Sequence, residues 1–501
     1  MSLAIVYTRA KCGVDAPLVR VETHLSNGLP SLSIVGLPET AVKESKDRVR
    51  SAIINSHFEF PSRRITINLA PADLPKEGGR FDLPIAIGIL AASGQVPVKP
   101  LEHIEFLGEL GLTGELHTVQ GSLPAAIKST AAKRALVVPP ANVNEATLCQ
   151  QATIFSCQHL LQLSAHLHDR EPLIPQQAKP KTQTSLCYPD LCDVKGQALA
   201  RRALEIAAAG KHNLLFCGPP GTGKTMLASR LPSILPPLSQ QEMLEVAAIY
   251  SVSQQKNRQD FYQRPFRNPH HTASSVALVG GGSNPQPGEI SLAHHGVLFL
   301  DELTEFQRQV LEVLREPMES GEILISRANR QAIFPANFQL IAAMNPCPCG
   351  YYGDLQKACR CSLDKRRRYR DKISGPLLDR IDMQVTVNRI PVSALRQKKQ
   401  PAESSADIIK RVIRCRAIQK QRQHHCNAQL NNAQLEQYCH LGGDEQHLLE
   451  QAVTRWHLSP RAYHRILRVA RTIADLAEAQ TIDSQHLTEA ISYRALDKDI
   501  I

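Results

Sequence analysis

The chain has 501 residues, enough for about three domains, and its 58 Lys+Arg against 47 Asp+Glu give a formal net charge of +11, which favours polyanionic partners. Thirteen cysteines, an odd number without even spacing, argue against an oxidised secreted scaffold and predict a cytoplasmic protein. The longest apolar stretch, LPIAIGILAA, is too short to span a bilayer and the N-terminus lacks a signal-peptide pattern, so we expect a soluble protein without a membrane partner.

Two polar segments divide the chain into three regions. Residues 171–185 and 396–407 have almost no periodic apolar content, which is typical of linkers. We therefore predict an N-terminal domain over 1–170, a central domain over 186–395 and a C-terminal helical domain over 408–501. Short apolar runs alternate with helical patterns in the central region, which predicts parallel strands with helical crossovers. These runs are NLLFC (213–217), VLFL (297–300) and FQLIAA (338–343).

Two segments of the N-terminal region resemble the Lon-protease domain fold. PKEGGRFDLPIA is similar to the segment in which such proteases carry a nucleophilic serine, and GELGLTGELHTVQGSLPAA is similar to the segment with the general-base lysine. The likeness places Arg80 at the serine position and Leu123 at the lysine position. A Ser-Lys mechanism needs a hydroxyl beside a neutral amine, so we expect no proteolysis. Ser122 and Lys76 lie nearby in sequence, and they are the alternative pair if this pairing is shifted.

The segment GPPGTGKT matches the P-loop pattern in its required setting, between a predicted strand and a helix start. Its glycines let the backbone wrap phosphates, Lys224 reaches the β- and γ-phosphates, and the Thr225 hydroxyl is placed to ligate Mg²⁺. The alternative is a structural glycine turn, which rarely has all these parts. The predicted ATP contacts are Gly218, Pro219, Pro220, Gly221, Thr222, Gly223, Lys224 and Thr225.

Two carboxylates and an amide follow the next two predicted strands. Asp301 can hold the magnesium shell, and Glu302 can polarise an attacking water. Paired acids at a strand end are usually just solvated, but the upstream P-loop favours these roles because both belong at the carboxyl edge of the sheet. Asn345 reaches the same edge and could orient the water; alone, it would be a strand-end cap.

With these residues assembled, the chain resembles the AAA+ ATPases of the branch that contains magnesium-chelatase motor subunits and MCM helicases, and within it the ComM (YifB) family. The likeness runs from GLPSLSIVGLPETAVKESKDRVRSAI through RPFRNPHHTASSVALVGGG and AAMNPCPCGYYGD to LSPRAYHRILRVARTIADL. It implies an α/β fold: an AAA+ P-loop core with a helical lid, preceded by a Lon-protease-like (ribosomal S5 domain 2-like) domain. By this likeness Lys224 and Thr225 are Walker A, Asp301 and Glu302 are Walker B, and Asn345 is sensor 1.

The resemblance also implies a ring in which an arginine acts on a neighbouring subunit. Arg380, in SGPLLDRID, takes the position of the arginine finger, which neutralises transition-state charge in the adjacent nucleotide site. The alternative is a surface arginine paired with Asp379 or Asp382. A finger supplied by a neighbour makes hydrolysis depend on assembly, and the family implies a homo-hexamer around a central pore.

A further arginine of the C-terminal region, Arg461 in LSPRAYHRIL, takes the position of sensor 2. Ser459 can cap this helix and Pro460 can occupy its first position, so Arg461 lies in a first turn. Arg465 and Arg468 follow at i+4 and i+7, and a solvated helix face explains those two about as well.

Four cysteines form two CxC pairs within fifteen positions: Cys347, Cys349, Cys359 and Cys361. Their thiolates could hold one tetrahedral Zn²⁺ in a closed structural site. CxC also suits copper or iron–sulfur centres, and four unligated thiols are a further alternative. We favour zinc because the polar, Gly-rich GYYGDLQKA has too little apolar content to hold its shape without a metal.

Basic and aromatic residues around the cysteines predict a DNA contact. Basic side chains bind phosphates irrespective of sequence, and tyrosines can stack on exposed bases. Such a run is usually a solvated surface, but its position between sensor 1 and the finger favours DNA. GEILISRANRQAIF predicts a hairpin that could project arginines toward a central strand. The candidates are Arg327, Arg330, Tyr351, Tyr352, Lys357, Arg360, Lys365, Arg366, Arg367 and Arg368.

The remaining histidine pair, His270 and His271, lies in a segment that predicts a loop-rich insertion in the second helix region. Neighbouring histidines without a further ligand more often make polar contacts than bind metal. We assign them no metal.

The leading hypothesis is an ATP-driven hexameric ring motor on single-stranded and branched DNA, similar to ComM proteins, which extend heteroduplex by branch migration during natural transformation. A recombinase filament is a further expected partner, and domains like the Lon-like one support ring assembly and DNA contact in other recombination ATPases. The first alternative is a magnesium-chelatase motor subunit that remodels a partner protein, although the Lon-like domain and the cysteines have no ready place in it. The second is a nucleotide-dependent scaffold that does not move DNA, against which the intact Walker B and finger candidates speak.

Overall fold

The computed structural model describes residues 3–36, 40–177, 188–253, 261–282, 285–327, 330–354, 356–390 and 403–494. The predicted linkers fall mostly outside these ranges, since residues 178–187 and 391–402 are not among them. None of the described helices combines the length and the apolar content that a bilayer crossing requires.

An eight-stranded mixed sheet organises the described N-terminal region. The strands are β1 (Leu3–Arg9), β2 (Leu18–Ser26), β3 (Ser31–Val35), β4 (Arg64–Ala70), β5 (Ile104–Phe106), β6 (Glu109–Leu110), β7 (Leu116–His117), β8 (Ala135–Val138), β9 (Ile154–Ser156) and β10 (Pro175–Gln176); the helices are α1 (Thr40–Asn55), α2 (Asp82–Ala92), α3 (Ser122–Ala131), α4 (Val143–Ala146) and α5 (Leu160–Leu167). The sheet order is β10-β9-β8-β5-β1-β2-β4-β3, and β6 pairs with β7 separately. In β1 and β2 buried residues alternate with less buried ones, because successive side chains of a strand point to opposite faces. The apolar helix α2 is buried at every residue and fills this core.

The central region is built on a five-stranded parallel sheet. Its elements are α6 (Ala198–Gly210), β11 (Leu214–Cys217), α7 (Lys224–Ile234), α8 (Gln240–Val252), β12 (Phe266–Arg267), α9 (Ser275–Val279), β13 (Gly280–Gly281), β14 (Gln286–Pro287), α10 (Glu289–Leu292), β15 (Val297–Leu300), α11 (Arg308–Glu312), α12 (Arg315–Ser320), β16 (Glu322–Arg327), β17 (Arg330–Pro335), β18 (Gln339–Met344), α13 (Leu363–Arg370), α14 (Gly375–Leu378) and β19 (Met383–Thr386). The order is β12-β15-β18-β11-β19, and every ladder is parallel. The three predicted strands, β11, β15 and β18, are confirmed as parallel neighbours with fully buried residues.

The predicted hairpin is confirmed: β16 and β17 are antiparallel, in a register that pairs Arg327 with Arg330. Residues 328 and 329, the predicted turn, lie outside the described ranges.

The C-terminal region is helical, with α15 (Ser405–Gln423), α16 (Asn432–Tyr438), α17 (Gly443–Trp456), α18 (Pro460–Leu476) and α19 (Ser484–Ser492). Apolar residues of α15 and α18 share one core with α6 and the parallel sheet. The helical region is therefore packed against the sheet that carries the P-loop.

The N-terminal region and the central sheet also share a core, at helix α8. Ala247 of α8 is fully buried in a cluster with Leu123 and Ala126 of α3. The Gly121 amide donates to the Ser251 carbonyl across the same joint at 3.1 Å. The predicted boundary thus separates two regions that are in apolar contact.

Candidate nucleotide site and cysteine loop

The P-loop joins the end of β11 to the start of α7, as its sequence pattern predicts. Gly223 precedes Lys224 with φ 86°, a left-handed conformation that favours glycine. At Gly218 a Cβ would lie 2.2 Å from the carbonyl oxygen of Val387, so only glycine fits beside β19. These two requirements fix a tight turn whose backbone leads directly into the N-terminus of α7.

Lys224 is tied to the sheet edge by three hydrogen bonds. Its ammonium donates to the carbonyls of Gly218 at 2.6 Å and Pro219 at 3.0 Å, and to the Asn345 amide oxygen at 3.1 Å. Burial lowers the pKa of Lys224. The structure therefore brings the predicted Walker A lysine and the predicted sensor 1 amide into direct contact, although they are 121 positions apart.

The magnesium candidates also meet. The Thr225 hydroxyl donates to Asp301 Oδ2 at 2.6 Å, and Asp301 Oδ1 accepts from the Glu302 amide at 2.9 Å. A hydroxyl and a carboxylate are hard oxygen ligands, the type that Mg²⁺ prefers. The cavity here measures about 370 Å³ and is lined by Pro220, Gly221, Thr222, Gly223, Lys224, Thr225, Asp301, Glu302, Met344 and Asn345. This donor set fits a magnesium–nucleotide complex held by Thr225 and Asp301.

Glu302 has a partner that the sequence did not reveal. The backbone of Glu302 is left-handed, with φ 52°, a conformation that costs about 1–3 kcal/mol for a non-glycine residue and is concentrated at functional sites. Its carboxylate lies 3.2 Å from Nδ1 of His271 and remains half exposed. The prediction that this histidine pair makes polar contacts is confirmed, but a position beside the candidate base was not foreseen.

We expect His271→Ala to lower the kcat of ATP hydrolysis about 10-fold and to leave KM for ATP within about twofold, because the variant removes the group that orients Glu302 without touching the P-loop. His270→Ala is the comparison variant, since the His270 ring bonds to Thr272 at 2.8 Å and only packs on the His271 ring, with centroids 4.2 Å apart. Steady-state ATPase rates of the two variants check this. Equal rates for both variants would contradict the orienting role.

Arg380 lies away from the nucleotide cavity of its own chain. It directly follows α14 and Asp379, its guanidinium donates to the Pro376 carbonyl at 2.7 Å, and it forms an ion pair with Glu319 of α12. The acid that pairs with Arg380 in the described structure is Glu319, and not Asp379 or Asp382, the alternative partners named from the sequence. The side chain is only 9% exposed, so it is held in one place on the surface formed by α12 and α14.

Arg461 is exposed in the first turn of α18, and the Ser459 hydroxyl caps this helix by accepting from the Ala462 amide at 3.2 Å. The structure does not bring Arg461 to the cavity around Lys224, whose described lining residues all come from the central region. The predicted helix start and cap are confirmed. The sensor 2 role stays a prediction.

The solvated-face interpretation of the next two arginines is wrong. Arg465 forms an ion pair with the buried Asp382, which also accepts from the Asn213 amide at 2.9 Å. Burial would raise the pKa of Asp382, and the charge of Arg465 reverses this and lowers it. Arg468 donates to the Leu430 carbonyl at 2.6 Å. The reason is that α18 packs against α6 of the central region and against α15 and α16, so these charges lie inside a joint between the helical region and the core.

The four cysteines converge on one point. The Sγ atoms of Cys347, Cys349 and Cys359 lie 3.3 to 3.7 Å apart, and Cys361 joins them so that all four lie within 4.8 Å of one another. A tetrahedral Zn²⁺ with Zn–S bonds of about 2.3 Å needs sulfur separations of about 3.8 Å. The Tyr351 amide helps to lower the pKa of Cys349 to about 6, and a thiolate is the form that binds metal. The donor set therefore fits a structural zinc.

This cysteine loop, residues 347–361, lies against the P-loop. A Cβ at Gly350 would be only 2.9 Å from Cδ of Pro220, so the Gly350 backbone packs closely against the proline ring. The loop begins two residues after Asn345, which bonds to Lys224. The cysteine loop and the nucleotide cavity are therefore direct neighbours.

The tyrosines of the cysteine loop are already stacked on cations. Lys357 lies 4.0 Å from the ring centre of Tyr351, and Arg366 lies 4.2 Å from that of Tyr352. Each ring thus has one face occupied by its own chain, which leaves at most one face for a base. The exposed basic candidates of this surface are Lys357, Arg360, Lys365, Arg367 and Arg368. The side chains of Arg327 and Arg330 lie outside the described part of the structure.

The N-terminal region places the Lon-like positions at its joint with α8. Lys76 is fully buried and donates to the Pro71 carbonyl, and within the described residues no hydrogen bond joins it to Ser122. Arg80, at the serine position, is also buried, and burial lowers its pKa to about 10. Glu145 lies near it and accepts a hydrogen bond from Ser251 of α8. Arg80 and Leu123, the positions named from the likeness, therefore lie beside the contact with α8.

The parallel sheet, the P-loop and the Thr225–Asp301 pair define a P-loop nucleotide-binding protein of mixed α/β architecture. Three family models of magnesium chelatase match the chain. The model described as magnesium chelatase, subunit ChlI, matches residues 190–395, and a second one, subunit ChlI of Mg-chelatase, matches residues 21–142. The model for the ChlI C-terminal part matches residues 402–494.

Curated relatives extend this result over the full chain. The competence protein ComM of Haemophilus influenzae is 52% identical over 99% of this chain and 98% of its own length, and YifB of Salmonella typhimurium is 52% identical over 100% and 99%. The magnesium-chelatase 67 kDa subunit of Heliobacterium mobile is 29% identical over 33% of this chain and 29% of its own. The chain belongs to the ComM/YifB family of magnesium-chelatase-like AAA+ proteins, a family that implies ATPase activity.

Proposed function

We propose that this protein is an ATP-driven ring motor that moves on single-stranded and branched DNA and promotes branch migration of recombination intermediates, as in natural transformation. The motor is a cytoplasmic homo-hexamer that acts beside a recombinase filament. ATP and Mg²⁺ serve hydrolysis, with Glu302, Asn345, Arg380 and Arg461 in the roles that the family resemblance implies. Zinc holds the cysteine loop, and the N-terminal region has no protease activity.

The observation that carries the proposal is the contact between Gly350 and Pro220. It joins the candidate DNA surface, with its exposed lysines and arginines, to the loop that holds the nucleotide. Basic side chains on such a surface neutralise phosphates of any sequence, as a translocating motor requires. When the nucleotide site closes around ATP, the cysteine loop moves and carries the bound DNA with it. The name of the Haemophilus relative, a competence protein, agrees with this role.

The test is ATP-dependent resolution of a labelled three- or four-strand DNA junction. We expect the parent protein to convert the junction and Lys224→Ala to slow conversion about 100-fold or more, because the lysine that neutralises the phosphates is lost. Lys410→Ala, an exposed change on α15, is the matched control and should convert at the parental rate. ATP hydrolysis by the parent protein that leaves every junction intact would refute the motor.

A second candidate is a magnesium-chelatase motor that remodels a partner protein, which the matched family models and the Heliobacterium relative favour. This alternative predicts an ATPase rate that DNA does not change. Comparing the rate with and without single-stranded DNA separates the two candidates. Stimulation by DNA supports the proposed motor.

A further inference from the structure

A second recess lies at the edge of the parallel sheet opposite the P-loop. Lys211 precedes β11, Gly296 precedes β15 and Gln339 begins β18, so the recess is at the amino ends of the strands, whereas ATP would bind at their carboxyl ends. Helix α15 covers one side with Arg416 and Lys420. The volume, about 480 Å³, lies in the range of small-molecule sites.

The lining of this basic recess is strongly cationic. Its charged residues are Lys211, Arg264, Arg416 and Lys420 against the single carboxylate of Glu242, with His295, His424 and His425 in addition. Arg264 lies 3.3 Å from Glu242, so the one acid is already paired. Three cations therefore line the cavity without a carboxylate of their own among its described lining residues.

Two of the four cations in the lining, Lys211 and Arg264, are crowded by like charge. Burial, together with the charges of Arg416 and Arg264, lowers the pKa of Lys211 to about 8. Burial and the charge of Arg416 likewise lower the pKa of Arg264 to about 10. A bound anion would relieve this repulsion, because an opposite charge within a few ångströms favours the charged form of each group.

Two of the donors, Arg416 and Lys211, are held in place by hydrogen bonds. Arg416 donates from Nε and Nη2 to the Ala208 carbonyl at 2.9 and 2.6 Å, which fixes its guanidinium against the wall. Lys420 follows one helical turn later on the same face of α15. Lys211 donates to the Asn337 side chain. Preorganised cations on two sides of a concave surface are the arrangement that binds phosphate groups.

A metal is a poorer occupant for the neighbouring histidines. Glu245, His294 and His295 lie beside the recess with ligand atoms close together. However, His294 Nδ1 accepts from the Asn337 amide at 3.0 Å, so the proton of the neutral ring is on Nε2, the nitrogen that faces Glu245. A protonated nitrogen cannot bind a metal. The group is therefore a hydrogen-bonded cluster that supports His295 at the rim.

We propose that the basic recess binds a small phosphate-bearing anion, which ties helix α15 to the amino edge of the sheet. The same helix begins beside the P-loop helix, where Ser405 contacts Ser233 of α7 at 2.8 Å. Occupancy of the recess thus stabilises one position of the helical region relative to the core and couples an anion to the nucleotide site from the far end of α15. This site is separate from the motor function and can exist without it.

The test is titration calorimetry with inorganic pyrophosphate in the full-length Lys224→Ala protein, in which the P-loop is disabled. We expect one pyrophosphate site per chain. Lys420→Gln should lower the affinity for pyrophosphate about 10-fold and Arg416→Gln should lower it further, since each change removes a charge-assisted hydrogen bond. Lys420 is exposed, so its replacement does not threaten folding. Lys410→Gln on the same helix, whose lysine pairs with Asp407 at 3.2 Å, is the matched control and should bind within about twofold.

Two results of the titration would overturn the proposal. One is that the Lys224→Ala protein does not bind pyrophosphate. The other is that Lys420→Gln and Lys410→Gln bind pyrophosphate equally well. A competition arm distinguishes the source of the phosphate: if a short single-stranded DNA displaces pyrophosphate from the Lys224→Ala protein and Lys420→Gln weakens that DNA, the recess holds DNA backbone instead of a small anion. Because no arm depends on ATP turnover or junction conversion, failure of the motor would leave this result unchanged.

Discussion

Arg380→Ala is expected to bind ATP within about twofold of the parental affinity and to hydrolyse it about 10³-fold more slowly, because an arginine finger acts on transition-state charge and not on ground-state binding. In its own chain Arg380 contacts Glu319 and Pro376, away from the Lys224 cavity, so in the proposed ring its effect would fall on a neighbouring subunit. Equilibrium binding of a fluorescent ATP analogue and steady-state ATPase rates measure the two quantities. Normal turnover by the variant would reject the assignment.

A mixing experiment separates action on a neighbour from a local structural effect. Arg380→Ala lacks the candidate finger and Glu302→Gln lacks the candidate base, so each variant alone should be nearly inactive. In a mixed ring, a Glu302→Gln subunit can present its intact Arg380 to the intact site of an Arg380→Ala subunit, and part of the activity should return. Arg414→Ala, which removes from α15 an exposed partner of Glu478, away from the surface of α12 and α14, should keep parental activity. Mixtures that stay inactive would mean that Arg380 acts within its own chain.

Replacement of Cys359 and Cys361 with serine is expected to reduce bound zinc from about one per chain to nearly none, since a closed structural site needs all four ligands. ATPase activity should fall about 10-fold or more, because the loop that packs Gly350 against Pro220 loses its fixed shape. DNA affinity should fall as well. Elemental analysis, ATPase rates and DNA-binding curves at one stated salt concentration report these three quantities.

The matched control for the cysteine change is Cys192→Ser, since Cys192 is a free thiol outside the cluster. It should keep both metal and activity. If the double variant retains its metal, the cluster is not the site. If it loses metal but hydrolyses ATP and binds DNA normally, the proposed link between the cysteine loop and the nucleotide is wrong.

The parallel sheet and the P-loop could be predicted because the information is local. A short apolar run followed by a fixed glycine spacing defines strand, turn and helix within about fifteen residues. The meeting of Lys224, Asn345 and Asp301 then follows from the rule that parallel strands present their carboxyl ends at one edge. The cysteine cluster was predictable for the same reason, since its four ligands are close in sequence.

The contacts that were missed depend on packing between distant segments. His271 reaches Glu302 from a loop that no periodicity describes, and the sequence gives no reason to choose it over His270. Arg465 meets Asp382 across 83 positions, and an arginine at helical spacing has the same pattern whether it faces water or a buried acid. The basic recess is assembled from several such segments, so its charge became visible only when they were placed together.

The core that α8 shares with α3 determines how this polypeptide can be divided. If residues 188–501 were expressed alone, Ala247 and its neighbour Leu244 would be in contact with water. Ser251 would also lose its hydrogen bonds with Gly121 and Glu145. Apolar surface bared in this way tends to drive aggregation. The central and C-terminal regions should therefore be produced together with the N-terminal region, as one chain or as two co-produced halves, even if the N-terminal region performs no chemistry.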